Sequence, residues 1–279
     1  MSEVFSLKSG LKLPGIGFGT WKMGERAEIR QTEKSALLRA MDLGFTLFDT
    51  AEMYGEGRTE TLLGEALAEH GRDDLILVSK VYPWNAGSSD MIAACEASLT
   101  RLGTDMIDIY LLHWPGSVPF EETLEAAERL KAAGKIRTFG ISNFDTSALE
   151  EMESQGLLAT VELNQVMYNP ARRGIEYDLL PALSRLGISA MAYTPLEPAR
   201  LSGNAGFAEL AAEVGLTPPQ LALAWHVTRG AAIPIPKAGS PDHADALWQA
   251  SQHRLSAEDM ARIDAAFPPP SGPQPLDIL

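Results

Sequence analysis

Short apolar runs alternate with amphipathic stretches along almost the whole sequence, and this alternation limits the possible folds more than any other feature. Eight runs have the length and apolar content of buried strands. They are GIGFGTW (15–21), FTLFDT, LILVSK, DIYLLH, RTFGIS, VELNQV, ISAMAY and AAIPIP. Helix-like stretches lie between them, and several end in Gly, the residue that favours a left-handed helix cap. Strict alternation of strands and helices implies a parallel sheet.

The number of strand and helix units favours closure of this sheet into an (α/β)8 TIM barrel. The 279 residues fit one such barrel, because barrels of about 250 residues form a single domain. We therefore expect one domain over residues 1–279. MSEVFSLKSGLKLPG has turn residues between short apolar alternations, which predicts an N-terminal β-hairpin that closes the barrel floor. TPLEPARLSGNAGFAELAAEVGLTPPQ is a longer insertion, and the Pro-rich tail FPPPSGPQPLDIL is expected to be irregular.

Bulk composition excludes several classes of protein. A formal net charge of -14 argues against nucleic-acid binding, which relies on clustered Lys and Arg. No apolar run is long enough to span a bilayer, and the first residues lack the pattern of a signal peptide. Cys95 is the only cysteine, so the chain can form no internal disulfide, and a reducing compartment fits. We predict a cytoplasmic protein with no membrane partner.

Common catalytic and nucleotide-binding motifs are missing. The glycines of GIGFG stand at alternate positions instead of in the G-x-G-x-x-G spacing, so a bent strand is a better interpretation than a dinucleotide-binding loop. The sequence has no H-E-x-x-H, no G-x-S-x-G and no P-loop motif. Nor does any group of His, Cys, Asp or Glu show metal-ligand spacing, so no metal is expected.

Polar side chains follow three successive strands of the predicted sheet. Asp49, Lys80 and His113 each stand at the end of an apolar run, and Tyr54 lies in the loop beyond Asp49. An α/β barrel keeps its catalytic groups at this end of the strands. Each residue alone would more often be structural, as a helix cap, a rim charge or a core side chain. Their joint placement predicts that an acid, a phenol, an ammonium and an imidazole converge on one cavity.

Such a group has the chemistry of a proton donor aimed at a carbonyl. A free tyrosine has a pKa of about 10, so it is a sluggish acid at neutral pH unless its neighbours help. The Lys80 ammonium is expected to lower the pKa of Tyr54, and the Asp49 carboxylate to hold that ammonium in place. A neutral His113 imidazole can donate a hydrogen bond that orients a substrate oxygen.

From about residue 13 to about residue 255 the sequence resembles the aldo-keto reductase superfamily. Its signature blocks occur in the usual order, as GFGTW, FDTAEMYGEGRTETLLGEAL, LILVSKV, IDIYLLHWP, GKIRTFGISNF, ELNQVMYNP, AYTPL and IPIPK. The resemblance implies a barrel that binds an extended nicotinamide cofactor without a Rossmann domain. It also implies a catalytic tetrad, whose matching residues are Asp49, Tyr54, Lys80 and His113.

The same resemblance assigns cofactor and substrate contacts. Ser142, Asn143 and Gln165 would hold the nicotinamide carboxamide, and Tyr193 would stack on the nicotinamide ring. Thr194, Pro195 and Leu196 would lie along the pyrophosphate and the adjoining part of the cofactor. The other cofactor contacts would be Gly19, Thr20, Trp21, Asp49, Ile235, Pro236, Lys237, Ala238 and His243. The substrate would meet Trp21, Tyr54, Tyr82, Trp84, His113 and Trp114.

The segment IPKAGSPDHADALW departs from the family pattern where the adenosine 2'-phosphate is usually bound. Lys237 is kept, but Ala238 stands where many members have Ser or Thr, and His243 where many have Arg. Leu247 replaces a frequent Asn. One lysine offers charge attraction, whereas the missing arginine would have offered a planar fork for the phosphate. NADP(H) is therefore the preferred cofactor, with NAD(H) possible.

The segment after Leu255 is short and lacks the aromatic-rich loops of steroid-handling members, which implies an open pocket for small aldehydes, dicarbonyls or sugars. Prokaryotic members similar to this chain typically reduce small aldehydes such as methylglyoxal. We predict an NADP(H)-dependent oxidoreductase that reduces such carbonyls to alcohols by hydride transfer, with Tyr54 as proton donor. The family default is a monomer.

Two other functions stay open at this point. Some barrels of this family are subunits of ion channels, so the chain could be a cofactor-sensing binding protein with little turnover. An isomerase or aldolase would use Lys80 as a Schiff base or Tyr54 as a base, without nicotinamide. The complete tetrad favours the reductase over both.

Overall fold

Parallel strands form a barrel inside a layer of helices in the computed structural model, which describes residues 4–279. Two strands form an antiparallel hairpin, β1 (Val4–Ser6) and β2 (Lys12–Pro14). The others are β3 (Phe18–Gly19), β4 (Leu47–Asp49), β5 (Ile76–Val81), β6 (Ile107–Leu112), β7 (Ile136–Ser142), β8 (Val161–Met167), β9 (Ser189–Tyr193) and β10 (Ile233–Pro234). Strands β3 to β10 lie side by side in chain order and pair in parallel, as the alternation predicts.

The helices cover the outside of this sheet. They are α1 (Arg30–Leu43), α2 (Arg58–His70), α3 (Ser88–Leu102), α4 (Phe120–Ala132), α5 (Thr146–Ser154), α6 (Leu179–Leu186), α7 (Pro198–Ser202), α8 (Ala205–Glu213), α9 (Pro218–Arg229), α10 (Pro241–Gln252) and α11 (Ala257–Ala266). Short 3₁₀ helices lie at Ala27–Ile29, Tyr54–Gly57, Pro83–Asn85 and Gly174–Glu176. Gly103 and Gly187 end α3 and α6 in the left-handed conformation, as their positions predict.

A seam formed by Gly17 and Gly19 facing Pro234 and Pro236 closes the barrel. The Gly17 N–H donates to the Pro234 carbonyl at 2.9 Å, and the Gly19 N–H donates to the Pro236 carbonyl at 2.8 Å. A Cβ atom at Gly19 would lie 2.6 Å from the carbonyl oxygen of Ile235, so only glycine allows this approach. Strand β3 covers Phe18–Gly19 and is therefore shorter than the strand predicted over residues 15–21, because the chain turns away after this contact.

The hairpin closes the floor of the barrel, as predicted. Leu7 and Leu13 are buried and belong to one apolar cluster with side chains from the barrel strands. Those side chains are Leu47, Val78, Ile109, Leu111, Leu163, Met191, Ile233 and Ile235. The cluster fills the inside of the barrel below the strand ends, so chemistry is confined to the opposite mouth. Residues 1–3 of the predicted hairpin lie outside the described residues.

Four of the helices were not predicted from the sequence. Helices α7 and α8 lie in the insertion after β9, and α10 and α11 follow β10. Their starts carry local signals: the Ser240 side chain accepts the His243 N–H, and Ser256 and Asp259 form a capping box. Helix α10 packs on α1 and α9 and completes the outer layer next to the seam. The tail from 268 onward has neither helix nor strand, as expected.

Candidate active site

The ends of β4 and β5 bring an acid, an ammonium and a phenol into direct contact. Lys80 is fully buried, and its Nζ lies 2.8 Å from Asp49 Oδ2 and 3.0 Å from the Tyr54 hydroxyl. The Thr50 carbonyl accepts a third hydrogen bond from Nζ at 2.8 Å. Tyr54 reaches this point because it opens the 3₁₀ helix that follows β4. All three donor directions of the ammonium are therefore satisfied within the site.

His113 follows β6 directly and completes the group. Its ring centroid lies 5.8 Å from that of Tyr54 in an edge-to-face arrangement. The side chain is buried, and its Nδ1 has no hydrogen-bond partner among the described residues. Burial, aided by the Lys80 charge, lowers the pKa of His113 from 6.5 to about 2. The imidazole is therefore neutral at physiological pH.

The electrostatics of Tyr54 differ from the sequence-based expectation. Burial raises the pKa of Tyr54 above its ordinary value, and the opposing effect of the Lys80 ammonium is smaller. The expected lowering of this pKa is therefore wrong in this structure. Burial also disfavours the charge on Lys80, but Asp49 and Tyr54 outweigh it and raise the pKa of that ammonium. The phenol keeps its proton beside a fixed positive charge.

A second polar cluster, the amide cluster of Ser142, Asn143, Gln165 and Tyr193, adjoins these residues. Gln165 Nε2 donates to Asp49 Oδ1 at 2.6 Å, and Ser142 Oγ donates to the Gln165 carbonyl at 2.8 Å. Asn143 Nδ2 donates to the Ser142 hydroxyl at 3.2 Å.

The Tyr193 hydroxyl completes this network by donating to Asn143 Oδ1 at 2.9 Å. Its ring is partly exposed, so one flat aromatic face lies next to amide and hydroxyl groups. Such a surface suits a planar ring that carries a carboxamide.

Asn169 supports the loop that follows β9, which contains Thr194, Pro195 and Leu196. Thr194 has φ of 51° and Glu197 has φ of 24°, values that non-glycine residues seldom adopt. Asn169 Nδ2 donates to the Thr194 carbonyl and to Glu197 Oε2, both at 3.0 Å. Side-chain contacts thus hold a strained loop at the barrel mouth.

The residues after β10 differ in what they offer to a ligand. Ile235 and Ala238 are buried, and Ile235 belongs to the barrel interior. Lys237 is exposed, with its Nζ 3.8 Å from Glu33 Oε1. His243 is exposed near the start of α10. Of the five predicted contacts in this segment, Lys237 and His243 are therefore the two whose side chains a phosphate in solution can reach.

The top of the first strand borders the tetrad. Thr20 is buried, and its hydroxyl donates to the Asp49 carbonyl at 2.8 Å. Trp21 is 42% exposed, with Lys22 Nζ 4.4 Å from its ring centroid. Trp21 therefore presents an aromatic surface at the rim of the mouth.

An aromatic wall of Tyr82, Trp84 and Trp114 flanks His113. Tyr82 and Trp84 stack with centroids 4.2 Å apart, and Trp114 meets Trp84 edge to face at 5.8 Å. The His113 and Trp114 rings lie 4.8 Å apart. Trp84 is 61% exposed, so the wall extends from the tetrad to solvent.

Comparison with known proteins agrees with this geometry. The model of the Aldo/keto reductase family matches residues 15–267, which is most of the chain. The chain belongs to the aldo/keto reductase family. It is 43% identical to the methylglyoxal reductase YeaE of Escherichia coli (strain K12), over 99% of each chain. It is 31% identical to a glyoxal reductase of Bacillus subtilis (strain 168), over 100% of this chain and 98% of that one.

A solved structure extends the similarity to the whole fold. The aldo-keto reductase of Klebsiella pneumoniae, crystallised in complex with NADPH, is 42% identical and superimposes with a TM-score of 0.95 over 100% of both chains. This agreement confirms the barrel fold of the present aldo/keto reductase.

Glu52 is a site residue of this aldo/keto reductase that sequence reasoning missed. Its Oε1 accepts the Tyr82 N–H at 2.7 Å and the Asn85 amide at 3.2 Å. It thereby ties the loop that carries Tyr54 to the aromatic wall. The only sequence signal is an acid between Asp49 and Tyr54, because its main partner is a backbone group.

Neither a metal-binding cluster nor a membrane-spanning helix occurs in the part of this reductase that the structure describes. In residues 4–279, no three or more His, Cys, Asp or Glu side chains are grouped so that they could hold a metal ion. Over the same described range, no helix has both the length and the apolar character needed to cross a membrane.

Proposed function

We propose that this aldo/keto reductase is an NADP(H)-dependent oxidoreductase that reduces small aldehydes and dicarbonyls, such as methylglyoxal, to alcohols. The observation that carries the proposal is the contact of Lys80 with both Asp49 and the Tyr54 hydroxyl, at 2.8 and 3.0 Å. The names of the relatives from Escherichia coli and Bacillus subtilis support reduction of small dicarbonyls.

Tyr54 supplies the proton in this mechanism. When bound, a reduced nicotinamide supplies the hydride for the carbonyl carbon. The raised pKa of Tyr54 keeps the phenol protonated at neutral pH, so the proton is available when charge develops on the carbonyl oxygen. Lys80 stabilises the phenolate left after transfer, and Asp49 holds Lys80 in place. The buried ammonium thus acts after the proton leaves and need not ionise the phenol beforehand.

His113 orients the carbonyl. Because burial lowers its pKa to about 2, the ring carries one N–H and no charge at neutral pH. Asn143 Nδ2 donates to the His113 carbonyl at 3.1 Å and fixes the backbone there. The imidazole can therefore donate a hydrogen bond to the substrate oxygen without competing with Tyr54 as an acid.

The residues present fit a nicotinamide dinucleotide. The amide cluster offers donors and acceptors beside the Tyr193 ring, and the 194–196 loop leads away from it. Lys237 supplies a cation near the start of α10, which favours a 2'-phosphate and hence NADP(H). Binding of NADPH by the similar protein from Klebsiella pneumoniae supports this choice, with NAD(H) as a weaker cofactor.

The substrate pocket is proposed to lie between the tetrad and the aromatic wall. Tyr82, Trp84 and Trp114 provide apolar surface, while Tyr54 and His113 provide the polar groups. Trp21 would lie on the rim. The complete tetrad and the reductase relatives favour turnover over a cofactor-sensing role.

A comparison of cofactor oxidation by wild type and Tyr54→Phe tests the proposal. Consumption of NADPH and NADH is followed separately with methylglyoxal and a panel of small aldehydes. We expect faster oxidation of NADPH by the wild type and a loss of about 10²- to 10⁴-fold in kcat in the variant. Cofactor binding without oxidation for any carbonyl would favour the sensing role. Trapping of a covalent adduct on Lys80 by borohydride would favour an aldolase.

We also propose a cytoplasmic monomer with one domain over residues 1–279. The buried thiol of Cys95, whose pKa burial raises to about 12, fits a reducing compartment because it is inert and unpaired. Light scattering over a range of concentrations tests the monomer: a mass above that of one chain contradicts it. Fractionation of cells that produce the protein tests its location.

A further inference from the structure

Arg172 joins two segments that approach the candidate cofactor site from different parts of the chain. Its Nε lies 3.3 Å from both carboxylate oxygens of Glu197, and its Nη2 lies 3.2 Å from Glu197 Oε1. Its Nη1 donates to Asp277 Oδ1 at 2.7 Å. All three side chains are partly buried, with exposed fractions of 30%, 20% and 34%. One planar guanidinium therefore holds two acids at once.

The first acid belongs to the strained loop after β9. Glu197 has φ of 24°, and Thr194, at the other end of the loop, has φ of 51°. Such conformations persist only where the surroundings hold them. Here Asn169 bridges the Thr194 carbonyl and the Glu197 carboxylate, and Arg172 binds the same carboxylate. The shape of the proposed pyrophosphate segment thus depends on Arg172.

The second acid belongs to the irregular tail. Leu276, the residue before Asp277, packs against the hydrophobic core. The ion pair with Arg172 then holds Asp277 beside the loop that carries Glu197. The end of the tail is therefore anchored next to the strained loop at the barrel mouth.

We propose that Arg172 is a positioning residue that couples the end of the tail (274–279), through Glu197, to the pyrophosphate segment (194–196), so that the anchored tail holds this segment in place and slows release of the cofactor. This inference rests on the proposed function, because it takes the 194–196 segment as a cofactor contact. It goes further in assigning a role in cofactor release to Asp277, whose ion pair is with Arg172.

The coupling has a consequence for both nicotinamide cofactors. The pyrophosphate and nicotinamide are common to NADPH and NADH, so loss of the coupling speeds the release of each. Lys237, in contrast, acts on the 2'-phosphate of NADPH alone. Loss of the Arg172 coupling should therefore raise the off-rates of NADPH and NADH by the same factor. A change in the attraction of the 2'-phosphate would instead alter the off-rate of NADPH alone.

The test is a double-mutant cycle on cofactor release. Stopped-flow displacement measures the NADPH and NADH off-rates of wild type, Asp277→Asn, Arg172→Met and the double variant. Arg172→Lys tests partial rescue. Glu213→Gln removes the charge from a carboxylate that forms a two-bond ion pair with Arg262 on the exposed surface, and serves as the matched control. Thermal unfolding of each variant reports whether the fold is intact.

We expect Asp277→Asn to speed release of both cofactors at least about fivefold, the lower range of typical coupling energies. The double variant should be no faster than Arg172→Met, because both changes remove the same connection. Off-rates of Asp277→Asn equal to those of wild type and Glu213→Gln would overturn the coupling, as would multiplicative effects in the double variant. Failure of the wild type to bind either cofactor would instead overturn the proposed function, and the coupling with it.

Discussion

The two carboxylate oxygens of Asp49 are divided between Gln165 and Lys80: Oδ1 accepts from the Gln165 amide at 2.6 Å, and Oδ2 from the Lys80 ammonium at 2.8 Å. Gln165 belongs to the amide cluster proposed to hold the nicotinamide, and Lys80 contacts the proposed proton donor. One buried carboxylate thus fixes the hydride site and the proton site relative to each other. Hydride and proton delivery depend on such alignment.

Gln165→Leu should weaken the binding of NADPH and the binding of NADH equally. The change removes a proposed carboxamide contact and leaves Asp49 Oδ1 without its amide donor. Loss of a buried hydrogen bond of about 1.5 kcal/mol corresponds to roughly tenfold weaker binding of NADPH and NADH. Fluorescence titration of each cofactor checks this. Unchanged affinity for both would remove Gln165 from the cofactor site.

Lys237→Met should weaken the binding of NADPH and leave the binding of NADH unchanged. Lys237 is the exposed lysine next to α10, and a charged hydrogen bond of about 1.5–3 kcal/mol to the 2'-phosphate corresponds to at least about a tenfold change. Lys34→Met is the matched control, because Lys34 pairs with Glu69 on the helix surface. The ratio of the two dissociation constants is the readout. A similar loss for NADH would assign Lys237 to a shared part of the cofactor.

Lys80→Met should destabilise the fold as well as abolish turnover. It leaves the Asp49 carboxylate buried without its cation, which typically costs about 3–5 kcal/mol. Addition of Asp49→Asn removes the unpaired charge and should restore much of that stability while activity stays lost. Denaturant unfolding and kcat are measured on both variants. Recovery of activity in the double variant would contradict the role of Lys80 beside Tyr54.

Acid should destabilise the protein through its buried histidines. Burial lowers the pKa of His226 from 6.5 to about 3, so the unfolded chain takes up a proton at a pH where the folded chain does not. The contribution of the neutral His226 to the free energy of unfolding is fully present above the pKa that this residue has in the unfolded chain. It is lost as the pH falls towards the pKa that His226 has in the folded chain. Between about pH 7 and pH 5 the loss is about 2 kcal/mol.

The variant His226→Leu isolates this effect. Between about pH 7 and pH 5, the free energy of unfolding of this variant should fall by about 2 kcal/mol less than that of wild type. This difference is expected whatever the stability of the variant at neutral pH. His113, with a pKa lowered to about 2, contributes a loss of the same sign in both proteins. Denaturant unfolding at several pH values measures the slopes. Parallel slopes for wild type and variant would show that His226 is not buried as a neutral group.

Gly19→Ala should open the seam of the barrel. The new methyl group would meet the Ile235 carbonyl at 2.6 Å, and crowding of this kind typically costs about 1–3 kcal/mol. Gly272→Ala is the control, because no atom beyond Gly272 and its two chain neighbours lies within 4 Å of the position where its Cβ would stand. Thermal unfolding compares the two. A Gly19→Ala variant as stable as Gly272→Ala would mean that the seam accommodates the methyl group without a loss of stability.

Sequence alone predicted the features that depend on local pattern. Asp49, Lys80 and His113 could be placed at one end of the barrel because each directly follows an apolar run, and parallel strands end on the same side. The hairpin under the barrel was predictable from its turn residues and short apolar alternations.

Other features depend on contacts between distant parts of the chain. The bond from Gln165 to Asp49 spans 116 positions, and the ion pair of Arg172 with Asp277 spans 105. The pKa of Tyr54 was predicted in the wrong direction because the sequence shows the nearby charge of Lys80 but not the depth of burial. Helices α10 and α11 were missed although serine caps mark their starts.

The seam also bears on the order of events during folding. Pro234 and Pro236 have no N–H, so the hydrogen bonds described there run in one direction, from glycine to proline carbonyl. The donors lie near the beginning of the chain and the acceptors near its end, and contacts of such separation form slowly. A chain synthesised from its N-terminus must therefore expose the Gly17 and Gly19 amides until β10 arrives. We expect pulse-labelling hydrogen exchange to find these two amides among the last to be protected.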